Sequence, residues 1–186
     1  MYPVGMDILP CLRPGSLIAS LVPHHSRASF IPELIAELAL LGPITVLDGG
    51  NCFPAYRIAQ LIRRKSLQVD SISKRIIVRR AFTCYQMVNL LESAPVSSQP
   101  HVILNLLSTF QDDQVKPNEA DRLLTICFAN IDRLLVSAPV ATTLEPAILA
   151  EKEFLLKRVC ERADEVFTLP LQTSPQEEQL SFFQGM

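Results

Sequence analysis

Few side chains in this sequence stand in a pattern that supports chemistry. The stretch Gly15-Ser16-Leu17-Ile18-Ala19-Ser20-Leu21-Val22-Pro23-His24-His25-Ser26-Arg27-Ala28-Ser29 reads as a strand, a tight loop and a helix start. In α/β proteins that is the place of a phosphate-cradling loop. Glycines there let backbone N–H groups converge on phosphate, a lysine offsets its charge, and a Ser or Thr hydroxyl holds Mg²⁺. Here the loop has no glycine and no lysine; only Ser29 keeps its type. His24 and His25 read as loop residues. A Ser-His-Asp or Cys-His set can be picked from the composition, but no G-x-S-x-G elbow organises one. The cysteines Cys11, Cys52, Cys84, Cys127 and Cys160 are widely spaced and form no C-x-x-C pair. They read as buried free thiols in a reducing cytosol, with neither a metal nor a cofactor expected.

The elements that must position these residues follow from the apolar pattern. The chain has 186 residues, 48% of them hydrophobic, with no tryptophan and a net charge of -2. That suits one domain with an aliphatic core and gives no global bias towards nucleic acid or anionic membrane. No apolar run is long enough for a spanning helix, and the first ten residues lack a basic n-region, so a cytoplasmic protein without a secretory signal is expected. Residues 1–14 read as an N-terminal arm, 15–169 as the α/β domain, and 170–186, rich in Gln, Ser, Pro and Glu, as a disordered tail.

Strands are expected at Ser16–Val22, Ile44–Leu47, Arg75–Val78, Val102–Leu107, Arg133–Ala138 and Val166–Leu169. Helices are expected at Phe30–Leu41 with Ser29 as N-cap, Pro54–Lys65, Thr83–Glu92, Pro117–Asn130 with Asn118 as N-cap, and Pro146–Ala163. Such alternation implies right-handed crossovers and a three-layer α/β fold: a mostly parallel central sheet with helices on both faces. Ligands of such sheets bind beyond the carboxyl ends of the strands. That rim comprises Val22–Ser29, Asp48–Phe53, Arg80–Cys84, Asn105–Pro117 and Pro139–Glu145.

Several rim segments together resemble the RecA/RadA recombinase ATPase core. Arg13-Pro14-Gly15-Ser16 before a strand resembles that family's entry into its phosphate loop. Val46-Leu47-Asp48-Gly49-Gly50-Asn51-Cys52-Phe53-Pro54-Ala55-Tyr56-Arg57 resembles its "D-T-E-G-T-F-R-P-E-R" segment, with Asp48, Phe53 and Arg57 in agreement. Arg80-Ala81-Phe82 resembles its "R-A-F", His101 to Thr109 its magnesium-site strand, and Leu134 to Val140 the strand before its second DNA loop. The spacing holds from about Leu12 to Leu169. The resemblance implies a RecA-like P-loop NTPase fold with strand order 3-2-4-5-1-6, and it implies that the nucleotide machinery is degenerate. Val22 and Arg27 replace the loop glycines, Ala28 the lysine, Gly50 the water-activating acid and Asn105 the magnesium-orienting aspartate. Phosphoryl transfer rests on such positioned charges, so ATP hydrolysis is not expected. The segments in the place of the DNA loops are acidic (Gln111-Asp112-Asp113-Gln114) or free of cations (Pro139 to Glu145), and no F-x-x-A polymerisation anchor occurs.

Charge is uneven. Between Gly49 and Leu91 lie Arg57, Arg63, Arg64, Lys65, Lys74, Arg75, Arg79 and Arg80 against one acid, Asp70. Glu145 to Glu178 is predominantly acidic. In the implied fold these segments fall on opposite sheet edges, which suits head-to-tail association. The expectation is a catalytically inactive domain acting as a protein-interaction or accessory module in DNA recombination or repair, its partner an active RecA-like ATPase or a second copy. Two alternatives stay open. One is a DNA-binding module using the basic patch. The other is an enzyme with an unrelated ligand at the strand ends, such as the methyltransferase cofactor that Asp48-Gly49-Gly50 partly fits.

Overall fold

The computed structural model describes residues 8–146 and 149–169; residues 1–7 of the expected arm and the whole of the expected tail, 170–186, lie outside them. Six strands, β1 (Leu17–Leu21), β2 (Ile44–Asp48), β3 (Ile76–Arg80), β4 (His101–Leu104), β5 (Val140–Leu144) and β6 (Glu165–Thr168), form one sheet in the order β3-β2-β4-β5-β1-β6. Every pairing is parallel. The crossovers are α1 (Arg27–Leu41), α2 (Ala55–Lys65), α3 (Val69–Ser73), α4 (Cys84–Glu92), α5 (Pro117–Leu135) and α6 (Glu153–Arg162). Among the described residues no helix is long and apolar enough to cross a membrane.

Strand residues alternate between two cores. Leu17, Leu47, Ile103 and Val140 face a cluster with Met87 of α4, Leu124 of α5 and Leu155 of α6. Ile18, Val46, Val102 and Leu104 face another, with Leu34 of α1 and Ile58 of α2. This is the expected three-layer architecture. The central strands β2, β4 and β5 are buried along their whole length, as strands covered on both faces must be.

The fifth strand is not where the sequence pattern places it. Arg133–Leu135 ends α5, and the strand is Val140–Leu144. Ala120, Leu123, Leu124, Cys127, Ile131, Leu134 and Leu135 continue one buried helical stripe, so the helix outruns the expected end at Asn130. Thr142 and Thr143 look polar in sequence, yet both are buried in the middle of the sheet. The rim segment expected at Pro139–Glu145 is therefore largely strand, and the loop proper begins at Glu145.

Other ends also shift. Helix α1 starts at Arg27, so Ser29 lies in its first turn rather than capping it, and Pro32 sits inside the helix. Helix α5 starts at Pro117 with Lys116, not Asn118, at the N-cap. The helix expected over Pro146–Ala163 is a short 3-10 turn, Ala150–Lys152, followed by α6. Strand β4 stops at Leu104 because Asn105 takes a left-handed φ of 49°.

At the opposite end of the sheet, His101 is fully buried and neither ring nitrogen has a hydrogen-bond partner; the hydroxyl of its register neighbour Thr45 has none either. Burial, aided by the nearby Arg133 guanidinium, holds the imidazole pKa below its ordinary 6.5. The unfolded chain therefore binds more protons than the native one between that lowered value and 6.5. Stability is complete above pH 6.5 and declines as the pH falls from there towards the native-state pKa. His101→Leu should flatten that part of a urea-midpoint-against-pH profile and raise neutral stability by on the order of 1 kcal/mol, because it removes orphaned buried polar atoms. An unchanged acid slope in the variant would contradict this assignment.

Candidate functional site

The carboxyl ends of β1, β2, β4 and β5 converge on a small polar cluster. Chain direction sets its members. Strand β1 leads through Val22 and Pro23 into a 3-10 turn at His24–Ser26, which runs directly into α1. The Val22 N–H is taken by the Leu144 carbonyl at 2.8 Å, and Pro23 has no N–H. At these two positions the turn therefore offers no backbone N–H to a phosphate. Ala28 is exposed, and the Ser29 hydroxyl is spent on the Ser26 carbonyl at 3.1 Å.

Arg27 occupies the position of a loop glycine in the resemblance, and its side chain is only 15% exposed. Its guanidinium forms an ion pair with Glu145, just past β5. It also lies against Asn105, just past β4. With the Asn105 amide oxygen turned towards it, the assignment its partners favour, that oxygen accepts from Nη2 at 2.6 Å and Nη1 at 3.2 Å. The Asn105 N–H donates to the Thr143 hydroxyl at 2.9 Å. His24 Nδ1 approaches Glu145 at 3.5 Å from the solvent side. Charge is thereby matched inside the protein, where a nucleotide site would present unmatched positive charge to its ligand.

Asp48 ends β2 and is fully buried. Its Oδ1 accepts from the Cys52 N–H at 3.0 Å and its Oδ2 from the Phe53 N–H at 3.1 Å. The Arg80 Nε adds a contact at 3.3 Å. Asp48 therefore folds the Gly49–Phe53 loop back on itself, with Asn51 in the left-handed region at φ 47°. The Cys52 thiol beside it is pushed up to about 12 by burial and the Asp48 carboxylate, far from a reactive thiolate. A Cβ on Gly50 would lie 2.8 Å from the Asn105 Cβ and 2.7 Å from its amide. The two positions where the resemblance expects acids are thus in direct contact, and a side chain at one displaces that at the other.

The cations of the basic patch have different partners. Arg75 donates to the carbonyls of Ala39 and Leu40 at the end of α1 (3.3 and 3.4 Å), and Arg79 donates to the Ser93 carbonyl after α4 (3.2 Å). Arg80 is held by Asp48, Lys65 pairs with Glu37, and Arg57 reaches Gln60 at 3.3 Å. The side chains of Arg63, Arg64 and Lys74 make no hydrogen bond or ion pair among the described residues and lie at the surface.

Two participants carry little sequence signal. Lys152, within the expected amphipathic helix, is fully buried, and its Nζ donates to the Asp112 carbonyl at 2.6 Å, tying the loop after β4 to the turn before α6. Glu145 gains its role only through Arg27. Among the described residues no group of three or more His, Cys, Asp or Glu could hold a metal. No cysteine is disulfide-bonded; Cys84 and Cys127 are buried and the other three partly so.

No protein-family model matches the chain, and no curated protein matches it.

Proposed function

We propose that this chain is a catalytically inactive RecA-like domain that works by binding other proteins, as an accessory to DNA recombination or repair. The recombination context rests on the sequence resemblance alone. The observation that carries the inactive reading is Arg27. Its guanidinium sits at the strand ends, where a nucleotide's phosphates would need free amides and uncompensated cations, and is matched there by Glu145 and Asn105.

The DNA-binding alternative is weakened by the fate of the basic patch, since Lys65, Arg75, Arg79 and Arg80 are engaged within the chain. Phosphate contacts need cations that can turn towards the backbone of a nucleic acid.

A thermal-shift series with ATP, ADP and S-adenosylmethionine, with and without Mg²⁺, tests the reading together with a phosphate-release assay. No stabilisation and no release are expected. Stabilisation by ATP plus Mg²⁺ with turnover would overturn it. Arg27→Ala should lower stability by about 1–3 kcal/mol, since it leaves Glu145 and Asn105 without their cation, and should create no nucleotide affinity. Urea denaturation and the same thermal-shift series check both parts.

A further inference from the structure

The sheet ends in two open edges of opposite charge, and we propose that they bind each other in successive copies of this chain, β3 of one against β6 of the next. The proposal rests on the reading of the chain as an interaction module and names its partner as a second copy. Among the described residues nothing pairs with the outer side of either strand.

Backbone alternation makes the two edges compatible. The Arg75 carbonyl accepts from Ile44 and the Ala81 N–H donates to Asp48, so the odd-numbered residues of β3 bond inwards to β2. Ile76, Val78 and Arg80 consequently present free N–H and C=O groups outwards. At the other edge Leu169 donates to the Leu21 carbonyl while Thr168 is the register partner of Leu21. Glu165 and Phe167 therefore bond inwards, and Val166 and Thr168 point outwards. A parallel ladder pairs an outward residue with an inward one, so Ile77 can stand opposite Val166 of the second copy and Val78 opposite its Phe167.

The side chains agree with that register. Ile77 and Val166 are exposed aliphatics, 48% and 41%, in the middle of their strands. Through Thr45, His101, Val140 and Leu17 on one side and Ala19 on the other, both face the same core, so they would meet on one face of the joined sheet. Lys74 and Arg75, immediately before β3, would then lie beside Asp164 and Glu165 of the second copy. Arg75 is bound only to carbonyls and Asp164 to the Leu17 N–H, so neither charge is neutralised by those contacts.

Charged residues on an edge strand usually protect it from pairing. Here Arg79 and Arg80 are folded back onto Ser93 and Asp48, which leaves the backbone edge clear. Because the two surfaces differ, the contact is heterologous and propagates unless capped.

Sedimentation velocity of the full chain across a concentration series at low and high salt tests this. Wild type should associate in a concentration-dependent way, roughly tenfold more weakly at high salt as Lys74/Arg75 and Asp164/Glu165 are screened. Ile77→Glu should disable only the β3 edge and Val166→Glu only the β6 edge, each giving monomers on its own, and the two carboxylates would repel where the altered edges face each other. Mixed, they should form a dimer that grows no further, since each supplies the edge the other lacks. Wild type that stays monomeric throughout, either variant associating like wild type, or a mixture that stays monomeric would overturn the proposal. Should either variant fail to fold by circular dichroism, Ile77→Lys and Val166→Lys, at the same exposed positions and again with like charges on the two altered edges, replace them in the same mixing experiment. ATP turnover by the wild type would sink the inactive reading and leave this contact standing, so the two failures are distinguishable.

Discussion

Replacing Asp48 with alanine is expected to cost about 3–5 kcal/mol and to lower the melting temperature by roughly 10 °C in a chain of this size. The carboxylate is fully buried and accepts from the Cys52 and Phe53 N–H groups at 3.0 and 3.1 Å. Without it, two backbone donors in a tight, half-buried turn lose their acceptor, and each charge-assisted bond is worth about 1.5–3 kcal/mol. The ion pair with Arg80 is the smaller part. That side chain is 45% exposed, and solvent screens it. Arg80→Ala should therefore cost less than about 1 kcal/mol, and Asp48→Asn should fall between the two because an amide retains one acceptor oxygen. Urea denaturation of the three variants decides the matter. Equal losses for Arg80→Ala and Asp48→Ala would mean that the ion pair, not the turn, is what Asp48 supplies.

The second large effect is a coupling. Gly50→Ala should destabilise by about 1–3 kcal/mol, because the new Cβ meets the Asn105 side chain at 2.7–2.8 Å. Asn105→Gly removes that side chain and suits the left-handed φ of 49°, at the loss of the contact with Arg27. In the double variant the Gly50 penalty should largely vanish, giving a coupling of about 1 kcal/mol or more. Gly50→Glu alone, which places an acid where the RecA pattern has one, should yield a less stable protein without ATP turnover. Additive single effects in the cycle would show that Gly50 and Asn105 do not compete for one space.

Much of the fold is legible in the chain. Alternating apolar runs and amphipathic segments announce a covered parallel sheet, and the strand order seen is the one the resemblance implies. The misplaced strand shows where local reading fails. Arg133–Ala138 is apolar enough for a strand, and only its continuity with the stripe from Ala120 to Ile131 marks it as helix. The threonines of β5 carry no apolar signal because their burial is imposed by neighbouring strands on both sides.

The candidate site divides in the same way. The missing glycines, the missing lysine, Gly50 and Asn105 are visible as letters, since a motif is a local pattern of residue types. The positions of Arg27, Glu145, Asn105 and Lys152 relative to one another are not. Arg27 and Glu145 are 118 residues apart and meet because β1 and β5 are neighbours in the sheet. The basic patch is the converse case. Eight nearby cations look like one surface in sequence, but crossover connections send Arg75, Arg79 and Arg80 to three different internal acceptors. Residue types and their periodicity determine most of the strands and helices, because those follow from local backbone and hydrophobic preferences, and they fix which letters of a motif are present. Which charges neutralise each other, and which remain at the sheet edges for a partner, is decided only when the strand order brings distant segments within hydrogen-bonding reach.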